Sequence, residues 1–153
     1  MISEELKNLA KSIDLDNEDN FELRVNFGIA CIQRVKGLLT DDQIIEALII
    51  GEKYIRHECS RSELDNAAVS AARNAQSHAG SGSLDGSGNA AVSVSRGVAA
   101  ALHGRALEAS AYASYASVYS YSASAVTDLS AYEPEQKWQI TKLGELSNNR
   151  IIK

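Results

Sequence analysis

The sequence predicts an all-α protein in which a single domain, residues 1–153, forms a bundle of about six or seven helices. Apolar residues recur at the three- and four-residue spacing of a helix along most of the chain. Only one proline is present, and proline interrupts helices. Helix-capping patterns occur at several places, and a chain of this length can bury one core.

The N-terminal part is predicted to form two helices separated by an acidic connector. Ser3 followed by two glutamates is typical of a helix start. Residues 1–19 are expected to comprise this first helix and the connector. A second helix is expected over 21–38, where apolar residues keep helical spacing, and Gly37 weakens its end.

The third and fourth helices each begin with a capping-box pattern. Thr40 with Gln43 forms a T-x-x-Q box, and Ser60 with Glu63 forms an S-x-x-E box. In such a box the first side chain accepts a hydrogen bond from a backbone N–H of the helix, and the second reaches back to the cap. The third helix carries a wide apolar stripe and the fourth an alanine stripe, so both are expected to pack in the bundle.

The pattern N-A-A-V-S-x-x-R occurs at 66–73 and again at 89–96, which predicts a small-residue helix used twice. Both copies are expected to pack close to the tyrosine-rich helix that follows them. Residues 79–89, between the copies, are rich in glycine and serine and are predicted to form a flexible loop. Such a loop is either a passive connection or a mobile lid. Gly104 is expected to bend or end the helix that the second copy opens.

The segment 105–128, built largely from alanine, serine and tyrosine, is predicted to be helical. A strand interpretation has support only over 118–125, where serine partly alternates with tyrosine or alanine. No glycine or proline occurs between Gly104 and Pro134 to punctuate strands. The serines are expected to bond back to carbonyls of the preceding turn. Pro134 marks the start of the last helix, and 147–153 its frayed end.

The formal net charge of −5 argues against nonspecific nucleic-acid binding, because that needs a basic surface to neutralise phosphates. It is compatible with a basic partner. The N-terminus lacks the apolar run of a signal peptide, and no stretch reaches the roughly 18–20 apolar residues of a membrane span. We therefore expect a cytoplasmic protein without membrane contact, in which Cys31 and Cys59 are reduced, partly buried thiols.

No residue set in the sequence predicts a reaction. His57, His78 and His103 lack metal-ligand spacing, and the Gly/Ser loop lacks the G-K-[ST] of a phosphate-binding loop. No G-x-S-x-G nucleophile elbow occurs. We expect no catalysis, no metal and no cofactor. His103, in an alanine-rich stretch, is predicted to be a hydrogen-bonded interior histidine rather than a catalyst.

Tyrosines are candidates for recognition. Tyr112, Tyr115 and Tyr119 share one helix face, for which a core role is favoured over an interface. Tyr121 points elsewhere and is predicted to lie at an interface, where tyrosine is enriched.

The acidic residues of the connector are a second candidate. Acidic clusters of this kind are typical of solvated connectors, but on an inhibitor of a basic protein they would steer association. The cluster consists of Asp14, Asp16, Glu18 and Asp19.

Five segments, in order along the chain, match the pattern of a known family. They are FGIACIQRV at 27–35, EALIIGEKYI at 46–55, NAAVSAARNA at 66–75, AALHGRALEASAYAS at 100–114 and EQKWQITKL at 135–143. Over roughly 25–146 the chain thereby resembles the immunity protein domain that accompanies bacterial polymorphic toxins. The resemblance implies a helical protein that inhibits another protein without catalysis. The family often carries more histidines around His103, and here Gly97 and Arg105 occupy some of those positions.

Two functions remain open at this point. The first is a non-enzymatic inhibitor that binds and neutralises a basic protein, either a toxin or, if the gene is carried by a phage or plasmid, a component of a bacterial defence system. The alternative is a protein that sequesters a nucleotide-like small molecule in a pocket lined by Tyr, Ser and His side chains under the Gly/Ser loop. Homo-oligomerisation is compatible with both. The predicted binding residues are Tyr115, Tyr119, Tyr121, His103, Arg96, Asp16, Glu18 and Asp19.

Overall fold

The computed structural model of the chain describes residues 2–77, 87–121 and 128–152, with the side chains of 87–89, 121 and 150–152 excepted. Over these ranges the protein is all-α, as predicted, with seven α-helices, no β-strand and short 3₁₀ turns at Glu18–Asn20, Lys36–Leu38 and Leu129–Tyr132. None of these helices combines the length and the apolarity needed to cross a membrane. The helices are α1 (Glu4–Ser12), α2 (Phe21–Gln33), α3 (Asp42–Ile55), α4 (Arg61–Ser77), α5 (Ser87–Leu102), α6 (Ala106–Tyr121) and α7 (Glu133–Ile152).

The predicted helix starts are confirmed at α1 and α4 and wrong by one residue at α3. Ser3 Oγ accepts a hydrogen bond from the Leu6 amide at 3.1 Å. Ser60 and Glu63 form the reciprocal capping box, each side chain accepting from the other's backbone N–H. At α3 the cap is Asp41 and not Thr40. Asp41 has extended backbone angles, and its side chain accepts from the Gln43 amide at 2.8 Å.

Three predicted boundaries need correction. Helix α2 ends at Gln33, because the backbone of Val35 (φ −123°) leaves the helical region and buries Val35 and then Leu39 in the core. The last helix continues through the predicted frayed end to Ile152. Residues 87–89, assigned to the Gly/Ser loop, form the first turn of α5, and the rest of that loop, 79–86, lies outside the described residues.

Helix α5 lies at the centre of the bundle. It packs against α2, α4 and α6, and also meets α3. Its inward side chains are fully buried at Val94, Val98, Ala101 and Leu102. The second N-A-A-V-S copy therefore packs on the tyrosine-rich helix α6 as predicted, whereas the first copy, in α4, packs on α5 and α3.

Small residues let α2, α5 and α6 approach one another closely. A Cβ atom placed on Gly28 of α2 would lie 2.9 Å from Ala101 Cβ and 3.0 Å from Ala101 Cα of α5. A Cβ on Gly97 of α5 would lie 2.5 Å from Ile32 Cδ1 and 3.2 Å from Tyr112 Cβ. Helix backbones at such separations leave no room for a larger side chain, so glycine and alanine are required at these contacts.

The buried face of α6 consists of alanine and serine rather than tyrosine. Ala109, Ala113, Ser114 and Ala116 are fully buried, while Tyr112, Tyr115 and Tyr119 are half-buried at the edges of this face. Tyr112 and Tyr119 do pack against the core from there. The prediction that the tyrosine face forms the core is therefore only partly right, because close packing against α5 and α2 admits methyl groups and excludes rings.

The buried serines of α6 bond back along the helix, as predicted. Ser114 Oγ donates to the Ser110 carbonyl at 2.9 Å, and Ser110 Oγ donates to the Leu107 carbonyl at 2.6 Å. The buried Gln139 amide of α7 adds a link that the sequence did not indicate. Its Nε2 donates to the Ser110 carbonyl at 3.0 Å and to Ser114 Oγ at 2.9 Å. These bonds satisfy the polar groups and fix α7 against α6.

A charged pair joins α7 to the end of α2. Arg34 binds Glu135 through two hydrogen bonds, Nε to Oε1 at 2.7 Å and Nη2 to Oε2 at 3.1 Å. The same guanidinium lies over the Trp138 ring, 4.1 Å from its centroid. A bidentate carboxylate pair stacked on an aromatic ring is a geometry that arginine provides and lysine does not.

Replacing Gly28 with alanine tests the close approach of α2 and α5. Overpacking costs about 1–3 kcal/mol, and the better helix propensity of alanine offsets up to about 1 kcal/mol of it. We expect a net loss of unfolding free energy, measured by urea denaturation followed by circular dichroism. The matched control is Gly144→Ala in α7, where nothing lies within 4 Å of the added Cβ, and this variant should gain about 0.5–1 kcal/mol. A Gly28→Ala protein as stable as the control would contradict the packing described.

Candidate functional site

A groove with a volume of about 460 Å³ opens between α4, α5 and α6. Its floor is made of alanines, among them Ala75, Ala99 and Ala100, which are buried. The groove follows from the sequence, because the alanine stripes of α4 and α5 place methyl groups where longer side chains would fill the space. Its rim is polar and carries side chains from the end of α5 and the start of α6.

The turn between α5 and α6 positions two of the rim side chains, His103 and Arg105. Helix α5 ends in a Schellman motif, in which the Arg105 amide donates to the Ala100 carbonyl at 2.9 Å and the Gly104 amide donates to the Ala101 carbonyl at 3.0 Å. Gly104 has φ +76°, a left-handed conformation that glycine adopts without strain. The predicted helix end at Gly104 is confirmed.

His103 is exposed, so the prediction of an interior histidine is wrong, although its hydrogen bond is present. Nδ1 lies 2.8 Å from the Ala99 carbonyl oxygen of the preceding turn. Because a carbonyl can only accept, Nδ1 carries the hydrogen in this contact. Nε2 is then the ring nitrogen left to face a ligand, as an acceptor when the ring is neutral and a donor when it is protonated.

Two arginines give the groove a positive rim. Arg105 Nη1 lies 3.7 Å from Glu108 Oε2, and both side chains are exposed. Arg96, also exposed, forms no ion pair with any carboxylate of the described residues. Among the described residues that line the groove, the rim has two guanidinium groups, from Arg96 and Arg105, and one carboxylate, from Glu108, within a protein whose net charge is −5. An anion would meet a locally favourable field here.

Tyr112 forms the α6 wall of the groove. It is half-buried, and its Cβ packs next to Gly97 of α5. The side chain lines the groove together with the alanines of its floor. An aromatic side chain in this setting offers a face for a planar ligand group.

The structure brings together two of the predicted binding residues, Arg96 and His103, in this groove. Tyr115 and Tyr119 do not line it and instead contact each other farther along α6, with ring centroids 5.3 Å apart. The side chain of Tyr121 lies outside the described residues. Sequence reasoning missed Arg105 and Tyr112 as groove residues. The signal for Arg105 was its position directly after Gly104, since a glycine helix end turns the next side chain back beside the last helical turn.

The acidic segment, defined as residues 14–19, is a second ordered surface. Its carboxylate residues, Asp14, Asp16, Glu18 and Asp19, are all exposed, while Leu15 between them is buried. The buried Asn20 side chain donates to the Asp14 carbonyl at 2.6 Å. The Asn17 amide group donates to Asp14 Oδ2 at 3.1 Å. The predicted solvated connector is thus exposed in its charges but fixed in its backbone.

Over the described residues there is no group of three or more His, Cys, Asp or Glu side chains placed to hold a metal ion. Comparisons with protein-family models, with curated proteins and with solved structures found no match to the chain. Resemblance to the immunity protein domain therefore stays a prediction.

The two thiols lie outside the groove and are expected to react at very different rates. Burial raises the pKa of the Cys31 thiol, and the Glu135 carboxylate acts in the same direction. Burial also raises the pKa of Cys59, with Glu63 adding to it, but this side chain is only partly covered and donates to the Ile50 carbonyl. Iodoacetamide should therefore modify Cys59 first, at a rate that keeps rising with pH above the usual cysteine range, because the thiolate is the reactive form. A Cys59→Ser variant that is labelled at Cys31 as fast as wild type is labelled at Cys59 would contradict this order.

Proposed function

We propose that the protein is a non-enzymatic binding protein that captures a small anionic, nucleotide-like ligand in the groove between α4, α5 and α6. The observation that carries the proposal is the presence of Arg96, unpaired with any described carboxylate, beside the exposed His103 in one cavity. A guanidinium group and an imidazole on the same rim are suited to phosphate oxygens, because both donate directed hydrogen bonds to them.

The size and lining of the groove agree with this ligand class. Pockets that hold small molecules span about 300–1,000 Å³, and this groove has about 460 Å³. The alanine floor and the Tyr112 ring supply apolar surface for a planar base, while Arg96 and Arg105 supply the charge for a phosphate. Stacking of a base on an aromatic side chain contributes about 1–3 kcal/mol.

The surroundings of His103 favour ligand binding without catalysis. Its Nδ1 is engaged by the Ala99 carbonyl, and no nucleophilic side chain of the described residues lies within hydrogen-bond distance of its ring. The one carboxylate among the described lining residues, Glu108, lies beside Arg105. A nucleophile activated by a neighbouring base is what group-transfer enzymes require, and the described part of the groove does not offer one.

Titration calorimetry with AMP tests the proposal, with adenosine and inorganic phosphate as separate ligands. We expect AMP to bind once per chain and more tightly than either of its parts. Arg96→Ala should weaken AMP binding about tenfold or more, since a hydrogen bond to a charged group contributes about 1.5–3 kcal/mol. The matched control is Arg56→Ala, which removes an exposed arginine that pairs with Glu58 away from the groove.

Two results would contradict capture of AMP in the groove. One is the absence of AMP binding to the wild-type protein at millimolar ligand, with phosphate and adenosine equally inert. The other is equal weakening of AMP binding by Arg96→Ala and Arg56→Ala, which would show that binding depends on the overall charge of the protein and not on Arg96 itself. Recovery of a chemically altered nucleotide after incubation would show that the protein is an enzyme.

A second candidate function is neutralisation of a basic protein through the acidic segment. The specific observation in its favour is that the exposed carboxylates of this segment stand on a backbone fixed by Asn20 and Arg24. Charges held in place in the free protein cost less ordering on binding than charges on a mobile loop. The immunity-domain resemblance implies the same kind of partner.

Charge reversal tests this second candidate. Asp16→Lys combined with Glu18→Lys should slow association with a basic toxin encoded next to this gene, and the wild-type rate should fall as salt is added, because opposite charges steer encounter. Glu133→Lys combined with Glu145→Lys changes the net charge equally at exposed sites outside the segment and should have a smaller effect. Equal association rates for the two double variants, or inhibition by far less than one copy per toxin, would count against it.

A further inference from the structure

The side chain of Arg24 in α2 holds backbone carbonyls from two distant parts of the chain. Its Nε donates to the Gly104 carbonyl at 2.9 Å, in the turn between α5 and α6. Its Nη1 donates to the Leu15 carbonyl at 2.8 Å and to the Asn17 carbonyl at 2.7 Å, both in the acidic segment. One guanidinium group therefore ties the turn that flanks the groove to the acidic segment.

The turn that Arg24 holds is the one that carries His103 and Arg105. Gly104 lies between them, in its left-handed conformation, and the Phe21 ring fills the space where a Cβ would be, with Cε1 only 2.7 Å from that position. The turn is thus confined by a ring on one side and by a hydrogen bond to its carbonyl on the other. A rotation of the Gly104 peptide would break the Arg24 bond and redirect both rim side chains.

We propose that Arg24 is a positioning residue that sets the directions of His103 and Arg105 in the groove and couples them to the acidic segment. This inference rests on the proposed function for the role of the two rim side chains, but the coupling itself does not require a ligand. Arg24 acts through the turn and does not line the groove. Arg24 is bonded to both segments. If its bond to one segment breaks, the guanidinium group is free to move, and its attachment to the other segment weakens as well.

Lysine cannot replace Arg24 in this arrangement. The three bonds leave the guanidinium from two different nitrogens, in directions that its planar shape imposes. A lysine ammonium is a single point that reaches one of the two segments. The Arg24→Lys variant keeps the positive charge but loses the attachment to two segments. It therefore separates the effect of the charge from the effect of the double attachment.

The experiment combines AMP titration with backbone amide hydrogen exchange on Arg24→Ala, Arg24→Lys and a matched control. The control is Arg61→Ala, because Arg61 lies over the same Phe21 ring, 3.4 Å from its centroid, but binds Asp65 and no turn carbonyl. We expect Arg24→Ala to weaken AMP binding about tenfold, the equivalent of one lost hydrogen bond. Arg24→Lys should lie between it and wild type, and Arg61→Ala should stay within about twofold of wild type.

Exchange rates distinguish positioning from general stability. In Arg24→Ala the amides of Gly104 and Arg105 and those of 15–17 should exchange faster together, while amides in the middle of α3 keep their wild-type rates. Uniformly faster exchange, α3 included, would overturn the proposal by making Arg24 a general stabiliser. Faster exchange at only one of the two segments would overturn the coupling.

Failure of the proposed function would look different. If wild-type protein binds no AMP, the ligand assignment is lost, and the exchange pattern of Arg24→Ala still decides whether the turn and the acidic segment are coupled. If wild type binds AMP and Arg24→Ala binds it equally well with unchanged exchange at Gly104 and Arg105, the positioning role is wrong and the groove assignment stands.

Discussion

Helix α5 packs tightly between α2 and α6, and the small residues at the contact points make this packing possible. Gly28 meets Ala101, and Gly97 lies against Ile32 and the Cβ of Tyr112, at distances that exclude any added methyl without movement. The buried face of α6 carries alanines, together with serines whose hydroxyls bond within the same helix. Alanine buries little apolar area per residue, so this core gains its stability from the closeness of many contacts.

The same constraint shapes the surface. The side of α5 next to α4 and α6 also carries alanines, Ala99 and Ala100, and a groove remains there. The end of α5 is then closed by a glycine turn, which sets His103 and Arg105 on either side of Gly104. Arg24 bonds to the carbonyl of that turn and thereby links the groove to the acidic segment. The packing of α5, the turn at Gly104 and the polar rim of the groove are therefore structurally connected.

Much of the fold could be predicted from the sequence, because helix caps and helical periodicity are local properties. The Ser60–Glu63 box, the helix end at Gly104 and the back-bonding serines all depend on residues within one or two turns. The choice of Asp41 over Thr40 as a cap could not be predicted, since both can cap and the backbone decides. Which face of α6 is buried depends on how near α5 and α2 come, and sequence spacing does not report that distance. Arg96, at the end of the second N-A-A-V-S-x-x-R copy, and His103, in the alanine-rich stretch after it, could be named from the sequence, but only the fold places Arg105 and Tyr112 beside them.

Binding of a nucleotide-like anion in the groove between α4, α5 and α6 is the proposal on which the function of the protein rests. The most direct measurement is an NMR titration of the ¹⁵N-labelled protein with AMP, in which shift changes are mapped onto the chain. We expect saturable changes to concentrate at Arg96, Ala99, His103, Arg105 and Tyr112, with α3 unaffected. Changes centred on α3 or on α7, or none at all at millimolar AMP, would show that the groove is not the binding site.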